Sequence, residues 1–186
     1  MKIKLFGKNG DWREVADCAR VTINKGEGKG EPSPHWKKQI LLAEHSPIRC
    51  IEYKWKWYEI PYAITTHFVR HFLGILHWIR TERTDRTGVD RADLSQMAEV
   101  EHRAKANVQA LINISRKRLC NKADPTTREA WKMTVDMVDN DDPDIAQVLV
   151  PECIYRGFCP EFDSCGYHKT QAYKAALQYY RRGIND

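Results

Sequence analysis

Hydrophobic and polar residues alternate most regularly between positions 48 and 58. Ile51, Tyr53, Trp55 and Trp57 fall on one side, and Cys50, Glu52, Lys54 and Lys56 on the other. A period of two predicts a strand with one buried face. Its aromatic side reads as core rather than as a ligand platform. Its lysine side reads either as a solvated sheet face or as an edge kept soluble by charge. Shorter alternation predicts strands over 2–6 and over 75–80, where Ile75, His77 and Ile79 oppose Leu76, Trp78 and Arg80. These segments make the fold class α/β, of the α+β kind: a central, mainly antiparallel sheet flanked by helices.

Spacings of three and four predict the helices. Asp11 caps a first helix from Trp12 to about Val21, with Val15, Ala16 and Ala19 inward and Cys18 beside them. A second runs from His35 to Glu44 around Trp36, Ile40 and Leu41. Pro61 opens a third, with Ile64, Phe68 and Phe72 on the face to bury. A long helix is expected from Asp93 to about Asn121, with Ala104, Asn107, Leu111, Ile114 and Arg118 on one stripe. Thr127–Met137 follows with Ala130, Trp131, Thr134 and Val138 inward, and a last helix spans 169–182. Residues 25–34 (KGEGKGEPSP) read as a surface loop, and 139–144 as a solvated acidic connection.

With 186 residues and 42% apolar content, one domain over 1–186 with a real core is expected. No apolar run approaches a membrane span, and the stretch MKIKLFGKNG lacks a signal-like apolar segment. Six cysteines are too few for a disulfide scaffold of this size, which points to a reducing, cytoplasmic setting. The formal charge of +5 admits nucleotides or nucleic acid as partners without choosing between them.

Chemistry concentrates in Thr66–Arg86, THFVRHFLGILHWIRTERTDR. On a continuous helix His67, Arg70 and His71 would share one face, ahead of a strand that leads to Arg80, Arg83 and Arg86. Guanidinium forks suit phosphate. The plain alternative is a basic solvated face with core histidines. Near the other end of the chain, Cys153, Cys159, Cys165 and His168 are zinc-type ligands separated by five, five and two residues, looser than usual structural zinc spacing. They make either a zinc site or a set of free thiols.

Arg70-His71-Phe72, eight residues, then Thr81-Glu82-Arg83 resembles the signature of flavin-dependent thymidylate synthases, which reads Arg-His-Arg, seven or eight residues, Ser, one residue, Arg. Asn107, Asn113, Arg118 and Ala123 match the intervals of a later helix of that family. The resemblance covers residues 1–138 and leaves 139–186 as a cysteine-containing C-terminal extension. Phe72 stands for Arg, Thr81 for Ser, Cys50 for a flavin-side His, and His67 for a nucleotide-side Gln. Asp124 and Thr126 replace a Gln and a Glu.

The resemblance implies reductive methylation of dUMP at C5 to dTMP, with FAD as cofactor and methylenetetrahydrofolate and NADPH as co-substrates, in a homotetramer. It implies that Arg70, His71, Asn107 and Asn113 contact the flavin, and that Arg118 polarises the pyrimidine. Thr81 and Arg83 would take the nucleotide phosphate, and His67 would read the base. Two alternatives stay open: another C5 modification such as hydroxymethylation, and a non-catalytic nucleotide- or nucleic-acid-binding paralogue without flavin. Net positive charge with interleaved aromatics also suits single strands.

Overall fold

Four strands, β1 (Lys2–Asn9), β2 (Glu52–Pro61), β3 (Ile75–Ile79) and β4 (Glu99–Asn107), form one sheet in the computed structural model, which describes residues 1–183. Their order is β1-β2-β4-β3, and every pairing is antiparallel. The α+β architecture expected from the alternation is therefore the one observed. The helices are α1 (Trp12–Val21), α2 (Pro34–Leu42), α3 (Tyr62–Phe68), α4 (Thr84–Thr87), α5 (Val108–Arg118), α6 (Pro125–Asp141), α7 (Pro143–Ala146), α8 (Glu152–Arg156) and α9 (Gln171–Arg181).

Local chemistry starts the helices. Asp11 accepts hydrogen bonds from the N–H groups of Arg13 and Glu14 at the start of α1. Ser33 and Asp124 cap α2 and α6, each with proline in the first turn. These side chains satisfy orphan amides that would otherwise face water, worth about 1 kcal/mol each.

The inner sheet face carries the core. Trp55, Trp57 and Tyr53 of β2 are buried, and the Trp57 ring stacks on Phe68 of α3 at 4.8 Å between centroids. Trp131 of α6 meets both tryptophans and donates its indole N–H to Ser115 at 2.9 Å. On β2 and β4 the outer face is polar: Lys56 pairs with Glu101 and Lys105 with Glu52, each at 2.6 Å across strands. Because β2 lies inside the sheet, its lysines mark a solvated face and not an edge.

Five local expectations are corrected. The long helix over 93–121 does not form; 99–107 is β4, and α5 begins only at Val108. Val100, His102, Ala104 and Ala106 are buried while Glu99 and Arg103 are exposed, so a period of two wins there. Residues 46–50 form a 3-10 turn, and the strand begins at Glu52. Phe72 is 74% exposed, because α3 stops at Phe68 and the i+4 relation ends with it. Residues 139–141 complete α6, and Asp142, far from being solvated, is buried. It accepts from the Trp12 indole and from Lys8 Nζ, both at 2.9 Å. Cys18 sits on the exposed side of α1.

Candidate functional site

The sheet and two helices bring Arg118, His71 and His67 together. Arg118 lies in the last turn of α5. Its Nε–H donates to His71 Nε2 at 3.0 Å and an Nη2–H to the His67 carbonyl at 2.5 Å. Both acceptors are neutral. Arg118 is half-buried and, among the described residues, has no carboxylate partner. Burial and the nearby charge of Arg70 both press its guanidinium below the usual value. Two cations that repel each other without an acid between them make a site for an anion.

His71 is held neutral. Accepting at Nε2 places its proton on Nδ1. Burial, then the charge of Arg118, lowers its pKa to about 4. Its backbone carbonyl accepts from His77 Nε2–H at 2.8 Å. That proton leaves His77 Nδ1 as an acceptor, so it receives His102 Nε2–H at 2.9 Å. His102 is fully buried against Trp57, and burial lowers its pKa to about 3. The result is a hydrogen-bonded line from the core, through β4 and β3, to the residue that holds Arg118.

His67 closes the other side. The Thr127 hydroxyl donates to the capping carboxylate Asp124 at 3.1 Å, and thus accepts from His67 Nδ1–H at 2.6 Å. His67 Nε2 is left for a ligand. The helical face expected for His67, Arg70 and His71 does not exist as such. Arg70 and His71 lie in the turn after α3, where His71 N–H bonds the Phe68 carbonyl. The turn nevertheless carries His71 to Arg118.

The remaining residues are placed differently. Asn107 is the N-cap of α5, accepting from Ala110 N–H at 2.9 Å. The Gly74 backbone, at φ +73°, runs so close that a Cβ there would lie 2.8 Å from the Asn107 amide. Asn113 accepts from Gln109 at 3.3 Å. Both asparagines keep their amide N–H groups as donors. Thr81 accepts from Arg83 N–H at 3.2 Å, and the Arg83 guanidinium forks onto Asp85 at 2.9 and 3.0 Å.

Solved structures of the same fold include thymidylate synthase X (ThyX) from Helicobacter pylori with FAD and dUMP, at TM-score 0.68 and 11% identity over 81% of this chain and 99% of that one. A second structure of the flavin-dependent thymidylate synthase ThyX from Helicobacter pylori, complexed with FAD and dUMP, gives TM-score 0.66 and 11% identity over 81% and 100%. The UMP/dUMP methylase PolB from Streptomyces cacaoi, bound with 5-Br dUMP, gives TM-score 0.62 and 11% identity over 84% and 95%. No protein-family profile and no curated protein matches the chain. At this identity the likeness shows the fold.

Reasoning from sequence missed His77, His102 and Thr127 as parts of the site. The usable signal lay in EVEHRAKA, residues 99–106, where His102 takes the buried phase of a two-residue alternation. Cys153, Cys159, Cys165 and His168 line one pocket, together with Cys120. Among the described residues, however, no three His, Cys, Asp or Glu side chains are arranged to hold a metal ion. His168 Nδ1 is instead 2.9 Å from the Ser164 hydroxyl. Among the described residues, no helix is long and apolar enough to cross a membrane.

Proposed function

We propose that this chain is a flavin-dependent thymidylate synthase-like enzyme that methylates dUMP at C5. The observation that carries the reading is Arg118: a half-buried guanidinium, with no carboxylate partner among the described residues, anchored by two neutral acceptors. The solved structures of this fold that hold dUMP or its 5-bromo analogue support a pyrimidine nucleotide as the anion. Arg118 commits two of about five N–H donors to the protein, which leaves the others for the pyrimidine carbonyl. There they stabilise charge that develops on the ring as C5 becomes nucleophilic. Neutral His71 offers Nδ1–H, and His67 offers Nε2 to the base. Arg83 would exchange Asp85 for the nucleotide phosphate, with Thr81 as a hydroxyl donor.

The residues present fit FAD through Arg70, which has no carboxylate partner among the described residues, and through the amide N–H groups of Asn107 and Asn113, whose oxygens are the atoms engaged. When bound, FAD supplies hydride and one-carbon chemistry, with methylenetetrahydrofolate and NADPH as co-substrates. Phe72 and Leu73 in the turn after α3, with Leu76 and Trp78 on the outer side of β3, are between 52% and 74% exposed and support assembly into a homo-oligomer such as a tetramer.

Calorimetry with dUMP tests the reading. Arg118→Ala forfeits charge-assisted hydrogen bonds of about 1.5–3 kcal/mol, roughly a ten- to hundredfold loss in affinity. Lys117→Ala should bind like wild type. Equal affinities for all three proteins, or no binding by wild type, remove the nucleotide site. Phe72 favours a second reading, a nucleotide-binding paralogue without flavin, because an exposed phenyl ring stands where the family places a cation. Colour separates the two: a yellow protein, or one that FAD reconstitutes, is the enzyme, and a colourless one that it cannot is the binding module.

A further inference from the structure

Two cysteines 32 positions apart in the chain face each other. Cys18 lies in α1, and Cys50 ends the 3-10 turn before β2. Their sulfurs are 3.7 Å apart, with Cys50 donating to Cys18, the one thiol–thiol hydrogen bond among the described residues. Cys18 is exposed and Cys50 half-buried.

The backbone holds the two segments in register. Asn9 pairs with Glu52 at the end of the β1–β2 ladder. Gly10, at φ +71°, lets the chain pass so close to the Cys50 carbonyl that a Cβ would lie 2.2 Å from its oxygen. Asp11 then fixes the first turn of α1. The sulfurs thus meet across a junction with little freedom, and a short side-chain movement brings them to a bonding distance of about 2.05 Å.

We propose that Cys18 and Cys50 form a dithiol modification site, which a small-molecule disulfide converts to an intramolecular disulfide. Exposed Cys18 is the sulfur that the reagent meets first. Its thiolate attacks one sulfur of the reagent, the reagent's S–S bond breaks, and one thiolate leaves and takes a proton from water. Cys50 then loses its proton to water and attacks Cys18 Sγ, expelling the second reagent thiolate, which is protonated in turn. The protein gives up two thiol protons and two electrons, and the reagent is reduced to two thiols. Burial, then the hydrogen bond to Cys18, pushes the Cys50 thiol up to about 11. Cys50 therefore reacts slowly with reagent in solution, and its proximity to Cys18 makes the second step fast.

The bond would tie α1 to the turn that leads into β2. The next residue, Ile51, accepts the Val108 N–H with which α5 begins. The modification thus bears on the foot of the helix whose far end carries Arg118. It does not depend on which ligand that arginine takes.

The test uses the full chain, folded, with glutathione disulfide and tryptic mass mapping. Wild type should lose two mass units and yield peptide 14–20 joined to peptide 50–54. Cys50→Ser should stop at the mixed disulfide, keeping glutathione on peptide 14–20. Both variants of the pocket cysteines, Cys153→Ser and Cys159→Ser, should still form the 14–20/50–54 link. Wild type that retains glutathione on Cys18 without the link overturns the proposal, as do links confined to other cysteines.

Discussion

Arg116, Lys117 and Arg118 are consecutive, equally charged, and all placed favourably at the C-terminal end of α5. Their surroundings differ completely. Arg116 pairs with Glu44 and lies over the Tyr155 ring, 3.4 Å from its centroid. Lys117 is exposed and reaches Glu152 at 3.5 Å. Arg118 meets, among the described residues, a neutral imidazole and a carbonyl and no acid. The same charge is structural in the first case, nearly idle in the second, and available to a ligand in the third. A cation's role follows from whether an acid has already neutralised it.

Substitutions along this turn should separate the roles. Arg116→Ala leaves Glu44, in a largely buried setting, with the Gln109 amide but no cation, and should cost about 3 kcal/mol, a fall in Tm of roughly 6–12 °C. Its folded fraction should still bind nucleotide, so thermal melts change far more than calorimetry. Arg118→Ala should reverse the pattern, losing about 2 kcal/mol of nucleotide affinity with a smaller change in Tm. An Arg118→Ala protein that loses only stability would make this residue a second Arg116.

Acid should weaken the line that holds Arg118. Folding lowers the pKa of His71, His77 and His102 below their ordinary value of 6.5, chiefly by burial. Between that value and about 4, the unfolded chain binds more protons than the folded one. Their stabilisation is therefore complete above the unfolded pKa and is lost progressively as pH falls through this window. His102→Gln keeps an N–H for His77 without titrating. Urea unfolding at a series of pH values should show a shallower decline for this variant, and an unchanged slope would remove His102 from the account.

The smallest effects mark the edges of the comparison. Asn107→Ala should cost about 1 kcal/mol through the lost cap. A chemical melt would show it, and an added loss of flavin binding would show that the free amide has a second use. Lys117→Ala should stay within about 0.5 kcal/mol of wild type in both stability and affinity.

Much of the fold could be read from the chain. The aromatic alternation of β2, the capped start of α1 and the Ala130–Trp131–Thr134–Val138 stripe of α6 are dictated locally, by side-chain period and by the need of helix ends for acceptors. The candidate site was also partly legible as geometry: His67, His71 and Arg118 are gathered in one place, although not on the helical face expected. What local pattern could not decide was 93–121. Its apolar residues fit a spacing of three and four as well as a spacing of two. Only pairing with β2 and β3 resolves that choice, because strand hydrogen bonds come from other parts of the chain and helix hydrogen bonds from within. The same holds for charge and for sulfur. Glu44 lies 72 residues from Arg116 and Cys18 lies 32 from Cys50. No spacing along the chain encodes those meetings, so tertiary structure alone decided which arginine was left without an acid and which thiols were set face to face.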